Sequence, residues 1–143
     1  YTSAPLAEAV EVTGPVQMIL YASSSAVDTD FTAKLVDVYP DGKAYNLCDG
    51  IIRARWRKSR TKPELIEPGE SYRYEIDLWV TSNLFKPGHR IRVEISSSNF
   101  PRFDRNPNSG LPFGSDTKLT SATQTIFHGA ERSSHILLPV IPR

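Results

Sequence analysis

Leu84–Gly110 reads LFKPGHRIRVEISSSNFPRFDRNPNSG, joining a turn, a strand and a long polar loop in one short span. Between Arg90 and Ser96 the residues alternate, with Ile91, Val93 and Ile95 on one side and Arg90, Arg92, Glu94 and Ser96 on the other. That period of two predicts a half-buried β-strand. Lys86-Pro87-Gly88-His89 supplies the turn ahead of it, since Pro87 fixes φ at the first corner and Gly88 is free to take positive φ at the second. Beyond Ser96, residues 97–116 mix proline, glycine, arginine and phenylalanine without any period that a strand or helix needs. A loop of this length in a compact domain is usually functional or an interface.

Working outward, the chain repeats one pattern: a short apolar alternation, then a punctuation of Gly, Pro, Asn or Asp. Leu6–Val12 predicts a strand ended by Thr13-Gly14-Pro15, and Val16–Ala22 predicts a second, more apolar one. Phe31–Tyr39 carries apolar residues on both faces. Pro40-Asp41-Gly42-Lys43 is the clearest reverse-turn signature, and Ala44–Cys48 should return antiparallel after it. Ile51–Arg57 follows the punctuation Asp49-Gly50. In Tyr72–Val80, Tyr72, Tyr74, Ile76, Leu78 and Val80 share one face. One antiparallel register of these last two segments sets Arg55 against Glu75 and Arg53 against Asp77, a facing of opposite charges that sheets favour. Leu119–His128 and His135–Leu138 close the chain as strands. No stretch of ten or more residues shows an apolar stripe at helical spacing. Eight or nine short strands without a helix predict an all-β fold, an antiparallel β-sandwich, and the long crossovers favour jelly-roll (galactose-binding-like) or Greek-key connections over a simple meander.

At 143 residues the chain has the size of one domain, so residues 1–143 are expected to form a single sandwich. A formal net charge of +1, with basic residues scattered along the chain, gives no strong field, and neither nucleic acid nor a membrane is expected as a partner. The single cysteine, Cys48, excludes an internal disulfide and a thiolate cluster, and its simplest role is that of a small buried side chain. The compartment stays open. The chain opens on Tyr1 rather than Met and reads as a piece of something longer.

The chemistry is largely one of absences. There is no Gly-x-Ser-x-Gly turn and no helix to follow one, so no serine is marked as a nucleophile. His89, His128 and His135 fall in a turn, at a strand end and inside a strand, with no spacing that places two on one metal, and are read as structural. Asp104, Asn106, Asn108 and Asp116 offer oxygen ligands but lack the fixed spacing of a calcium loop. No metal, cofactor or catalytic residue is expected. Trp79, on the polar face of its strand, fits either a sugar-stacking platform or a surface covered by another domain. Asp28, Asp30 and Asp37 stand opposite Arg53, Arg55 and Arg57 in number and sign. They form either a solvated charged face or partly buried pairs, with Asp30, Asp37, Arg53 and Arg55 as the candidates for structural ion pairs. In the long loop, Phe100, Pro101 and Phe103 are apolar anchors flanked by Arg102, Arg105 and Asn106, a composition that suits an interface.

Several stretches taken together resemble a known family. They are Val12-Thr13-Gly14-Pro15, Asp28-Thr29-Asp30-Phe31, Leu35–Gly42, Gly50–Arg55, Phe85–Val93 and Asn99-Phe100-Pro101-Arg102-Phe103. Their order is similar to that in the C-terminal domain of the Xaa-Pro dipeptidyl-peptidase and cocaine-esterase-like serine hydrolases. The resemblance covers nearly the whole chain, and Phe103–Gly110 looks most like the branch containing α-amino acid ester hydrolases. It implies a jelly-roll domain packed on an α/β-hydrolase domain of the same polypeptide that holds the Ser, Asp and His triad. It places no catalytic residue here and gives the turn histidine, His89, a structural role. A homo-oligomer stays open. The alternative from a different class is a carbohydrate-binding module, because jelly rolls also serve lectins.

Overall fold

The computed structural model describes residues 1–112 and 114–142. Among them are seven strands: β1 (Val10–Ser24), β2 (Asp30–Val38), β3 (Ala44–Arg53), β4 (Tyr72–Phe85), β5 (Arg90–Ser96), β6 (Gln124–Ile126) and β7 (His135–Leu137). One sheet has β1 between β4 on one side and β6 and β7 on the other; the second runs β3-β2-β5, and every pairing is antiparallel. The two sheets form an all-β sandwich around one apolar cluster. Val12, Val16, Met18, Leu20 and Ala22 of β1 and Tyr74, Ile76, Leu78 and Phe85 of β4 meet Phe31, Ala33 and Leu35 of β2, all buried. The Phe31 and Tyr74 rings lie 4.8 Å apart at its centre.

Several expectations are corrected, chiefly where a facing strand sets the local geometry. Thr13-Gly14-Pro15 does not end a strand, and β1 runs through it. The register steps from Pro15 opposite Val80 to Gln17 opposite Asp77, so the single residue Val16 faces both Leu78 and Trp79. This bulge lets a proline sit in a central strand, because the ladder is already interrupted there. Trp79 takes φ +69° in the extra position. The bulge also reverses which residues face inward: Tyr74, Ile76 and Leu78 point into the core before it, and Phe85 does after it. Val80, expected on the inner face, is therefore 69% exposed.

Asp49-Gly50 likewise does not separate two strands. β3 continues to Arg53, and Ala54–Trp56, expected as strand, forms a single 3-10 turn. A Cβ on Gly50 would lie 2.0 Å from the Asp77 carbonyl oxygen. Glycine is therefore required where β3 crosses close over β4. β3 and β4 belong to different sheets, so the ladder pairs Arg55 with Glu75 and Arg53 with Asp77 do not form, and Arg53 instead stands opposite Asp30 of β2. The last two strands keep only three residues each.

The expected turns hold. The Gly42 N–H donates to Tyr39 O at 2.9 Å with φ +86°, and the His89 N–H donates to Lys86 O at 3.1 Å, with Gly88 at φ +82°.

Replacing Gly50 by Ala is expected to destabilise the chain by about 3 kcal/mol or more, because backbone rather than a flexible side chain blocks the new atom. Urea unfolding measures this, and a loss below about 1 kcal/mol would mean that the two strands can separate cheaply. Burial, with a smaller contribution from neighbouring Asp49, pushes the Cys48 thiol from its ordinary value of 9.0 up to about 11. The unfolded chain thus releases this proton at a lower pH than the folded one does, so stability is lost as pH rises through that window. Cys48→Ala should flatten the fall in unfolding free energy between pH 9.0 and about 11 relative to the parent chain.

Candidate functional site

The long loop leaves the end of β5 and passes over the start of β2 and the last residues of β3. Two buried carboxylates hold it there. Asp28 and Asp30 are 0% and 1% exposed. Arg53 donates to Asp30 through Nε at 2.8 Å and Nη2 at 3.0 Å. Arg55 donates to Asp28 through its backbone N–H at 2.9 Å and Nε at 2.8 Å. Asn106 joins the two pairs, its Nδ2 donating to Asp28 Oδ2 at 3.1 Å and to Asp30 Oδ1 at 2.9 Å. Each buried anion is thus met by a guanidinium and by the same amide, the arrangement that makes a buried charge tolerable. The hydrogen bonds and charge of Asp30 raise the Arg53 pKa above its ordinary value, against the opposing effect of burial.

Further bonds fix the rest of the loop. Asn99 Nδ2 donates to Asp49 Oδ2 at 3.0 Å, and Arg102 Nε donates to the same oxygen at 3.3 Å. Arg55 Nη2 reaches Leu111 O at 2.9 Å, and Asn108 Nδ2 reaches Thr120 O at 2.7 Å. At Gly110, with φ +77°, a Cβ would lie 2.8 Å from Val27 Cγ2, so the backbone packs directly on the sandwich.

What the loop presents outward is apolar. Phe100 is 57% exposed, and the Arg105 guanidinium lies 4.4 Å from its ring centroid. Phe103 is half-buried and lines a groove of about 370 Å³ with Ile51, Arg53, Trp56 and Asp104. Trp56 also walls a second hollow, which it shares with Ile52, Arg60, Glu75 and Asp77. Phe103 and Trp56 thus line one groove, and the exposed Phe100 ring stands on the same loop under Arg105.

The sequence-derived site residues separate into two groups. Phe100, Pro101, Arg102, Phe103 and Arg105 lie on this outer surface. Asn106, read as part of an outward polar rim, is turned inward with its amide N–H groups on Asp28 and Asp30, and its Oδ1 accepts from the Asn108 N–H at 2.9 Å. Asp37 lies apart from the arginines. It is buried and bonds His89 Nδ1 at 2.9 Å, with the Tyr39 ring 4.2 Å from the imidazole. Arg57 pairs with Glu64 at 2.8 Å and stacks on Tyr72 at 4.3 Å. Sequence reasoning missed the Asp37–His89 pair and the inward role of Asn106, and no local signal marks either, since the partners are 52 and 76 to 78 residues apart.

No described serine hydroxyl bonds a histidine: the three imidazoles bond Asp37, the Tyr1 hydroxyl and the Ser133 carbonyl. Among the described residues no group of three or more acidic, His or Cys side chains could hold a metal. The fold and this surface define a β-sandwich domain that carries a preformed loop with the Phe100 ring exposed.

Comparison with known proteins gives the family. Residues 1–137 match the X-Pro dipeptidyl-peptidase C-terminal non-catalytic domain, and the chain belongs to that family. It is 54% identical to a cocaine esterase of Rhodococcus sp. (strain MB1 Bresler), over 100% of this chain and 25% of that protein. A putative serine esterase of Mycobacterium bovis is 32% identical over 99% of this chain and 23% of its own length. The chain thus spans about a quarter of the curated relatives it matches. Among solved structures, an α-amino acid ester hydrolase superposes with TM-score 0.93 at 32% identity, over 99% of this chain and 25% of that one. A CocE/NonD family hydrolase from Staphylococcus aureus superposes with TM-score 0.80 at 16% identity, over 99% of this chain and 30% of that one, a likeness of fold alone.

Asp30→Ala should cost about 3 kcal/mol, because it leaves the largely buried Arg53 guanidinium without its carboxylate. A change within about 0.5 kcal/mol in denaturant unfolding would instead describe a solvated pair.

Proposed function

We propose that residues 1–143 form one accessory domain of a serine hydrolase. Its Ser, His and Asp triad would lie on a separate α/β-hydrolase domain of the same polypeptide. There the reaction would pass through an acyl-enzyme on the serine. The accessory domain covers apolar surface on that partner and walls the substrate entrance. Esters are the first substrate class to try, given 54% identity with an esterase; amide and peptide bonds follow from the wider family.

The observation that carries this reading is the pairing of exposure with rigidity in the loop. Soluble chains seldom leave clustered rings in water without a partner, and Phe100 and Phe103 stand on a loop held by a buried charge network. An apolar centre with a charged border is the usual anatomy of an interface, and here a preordered loop lowers the entropic cost of docking. Arg102 and Arg105 lie where they would hydrogen-bond the partner; Asn106 acts from behind, by holding the loop in shape.

The carbohydrate-binding reading fares less well. Trp79 is 71% exposed, yet the exposed ring pair Tyr39 and Tyr45 meets edge-on at 61° rather than offering the coplanar faces a sugar ring needs.

The 143-residue chain alone should not turn over an activated ester, and turnover abolished by one serine substitution would refute that. In the full-length enzyme, Phe100→Ser with Phe103→Ser should loosen the interdomain contact and lower activity while the 143-residue chain melts almost unchanged. Equal destabilisation of both would place the rings in the sandwich core instead.

A further inference from the structure

β5 is the outer strand of its sheet, and residues 1–6 cover its free edge at Ile91 and Val93. Tyr1 and Val93 exchange both backbone hydrogen bonds, N–H to O at 2.9 and 2.8 Å. The Ser3 N–H donates to Ile91 O at 2.9 Å, and the Leu6 N–H to His89 O at 2.8 Å. The odd-numbered residues of β5 therefore turn their backbone groups to this edge, while Arg92, Glu94 and Ser96 stand opposite Val36, Lys34 and Thr32 of β2. Ile95 is next in the odd row. Its N–H and C=O face the same edge and meet no partner among the described residues.

A second observation lies under the same spot. The Tyr1 side chain is on the inner side, with Val93 and Met18 beside it and its ring 4.8 Å from His128. Just beyond is a hollow of about 270 Å³ lined by Phe31, Ile95, Ser96, Ser97, Gln124 and Ile126. A residue two places ahead of Tyr1 on a continued strand would point to the same side as Tyr1, into that hollow.

We infer that the polypeptide immediately preceding Tyr1 continues as an edge strand along Glu94–Ser96, pairing its second residue before Tyr1 with Ile95 and placing an apolar side chain of that residue in the hollow. This rests on the reading that the domain is the C-terminal part of a longer chain, as its family description states. The strand caps an edge that would otherwise invite pairing with other chains. It also runs toward Ser97, so the tether enters at the end of the sandwich where the long loop begins.

The test is amide-resolved hydrogen exchange on the full-length chain. The Ile95 amide should exchange about a hundredfold more slowly than an unprotected amide, and Asp in place of the residue two before Tyr1 should speed it about tenfold or more. Fast exchange at Ile95 in the parent chain overturns the inference, and so does slow exchange that the Asp substitution leaves unchanged, since another element would then cover the edge. A Lys, Glu, Gly or Pro naturally at that position also overturns it. Phe100→Ser with Phe103→Ser should leave Ile95 exchange as it was, so failure of the docking loop and failure of this strand are read separately.

Discussion

Asp28 and Asp30 sit where water does not reach, and the end of the sandwich that carries the loop depends on satisfying them. An uncompensated carboxylate in such a place costs several kcal/mol, and the compensation comes from three separate parts of the chain. Arg53 comes from the last residue of β3, Arg55 from the 3-10 turn that follows, and Asn106 from the middle of the long loop. Because Asn106 serves both anions with one amide, the loop cannot lift away without breaking a hydrogen bond to each buried carboxylate at once. A connection of residues 97–116 that would otherwise sample many shapes is thereby held in one.

That constraint links stability to the proposed role. The outward side of the loop, with Phe100 stacked under Arg105 and Phe103 beside Trp56, keeps its form through contacts made on the inward side. The N-terminal segment along β5 converges on the same end from the other direction. On the proposed function, loop and entry segment together would orient whatever precedes the domain, one by surface complementarity and the other by backbone register.

Much of the architecture was legible in the sequence because it is encoded locally. The alternation of Arg90–Ser96, the Pro40–Lys43 turn and the aperiodic stretch after Ser96 each report on a few adjacent residues, and each predicts its element correctly. Failures occur where a distant strand decides. Gly14-Pro15 and Asp49-Gly50 carry the composition of turns. The first is a bulge opposite Trp79, and the second a close crossing over Asp77. The charge partners show the same division: sign and number pointed to Asp30 and Arg53 as candidates, but ladder register determines which groups meet. The composition around Asn106 marks the loop but not the direction of its amide, since nothing in Arg105-Asn106-Pro107 tells which way the side chain turns.

On the proposed function the loop is a docking element already shaped in the domain alone. Hydroxyl-radical footprinting of Phe100 and Phe103 tests it most directly, comparing the 143-residue chain with the full-length protein. Phe100 should oxidise readily in the former, where it is 57% exposed, and both rings should be strongly protected in the latter with the catalytic domain in place. Equal oxidation of the rings in the two proteins would contradict it.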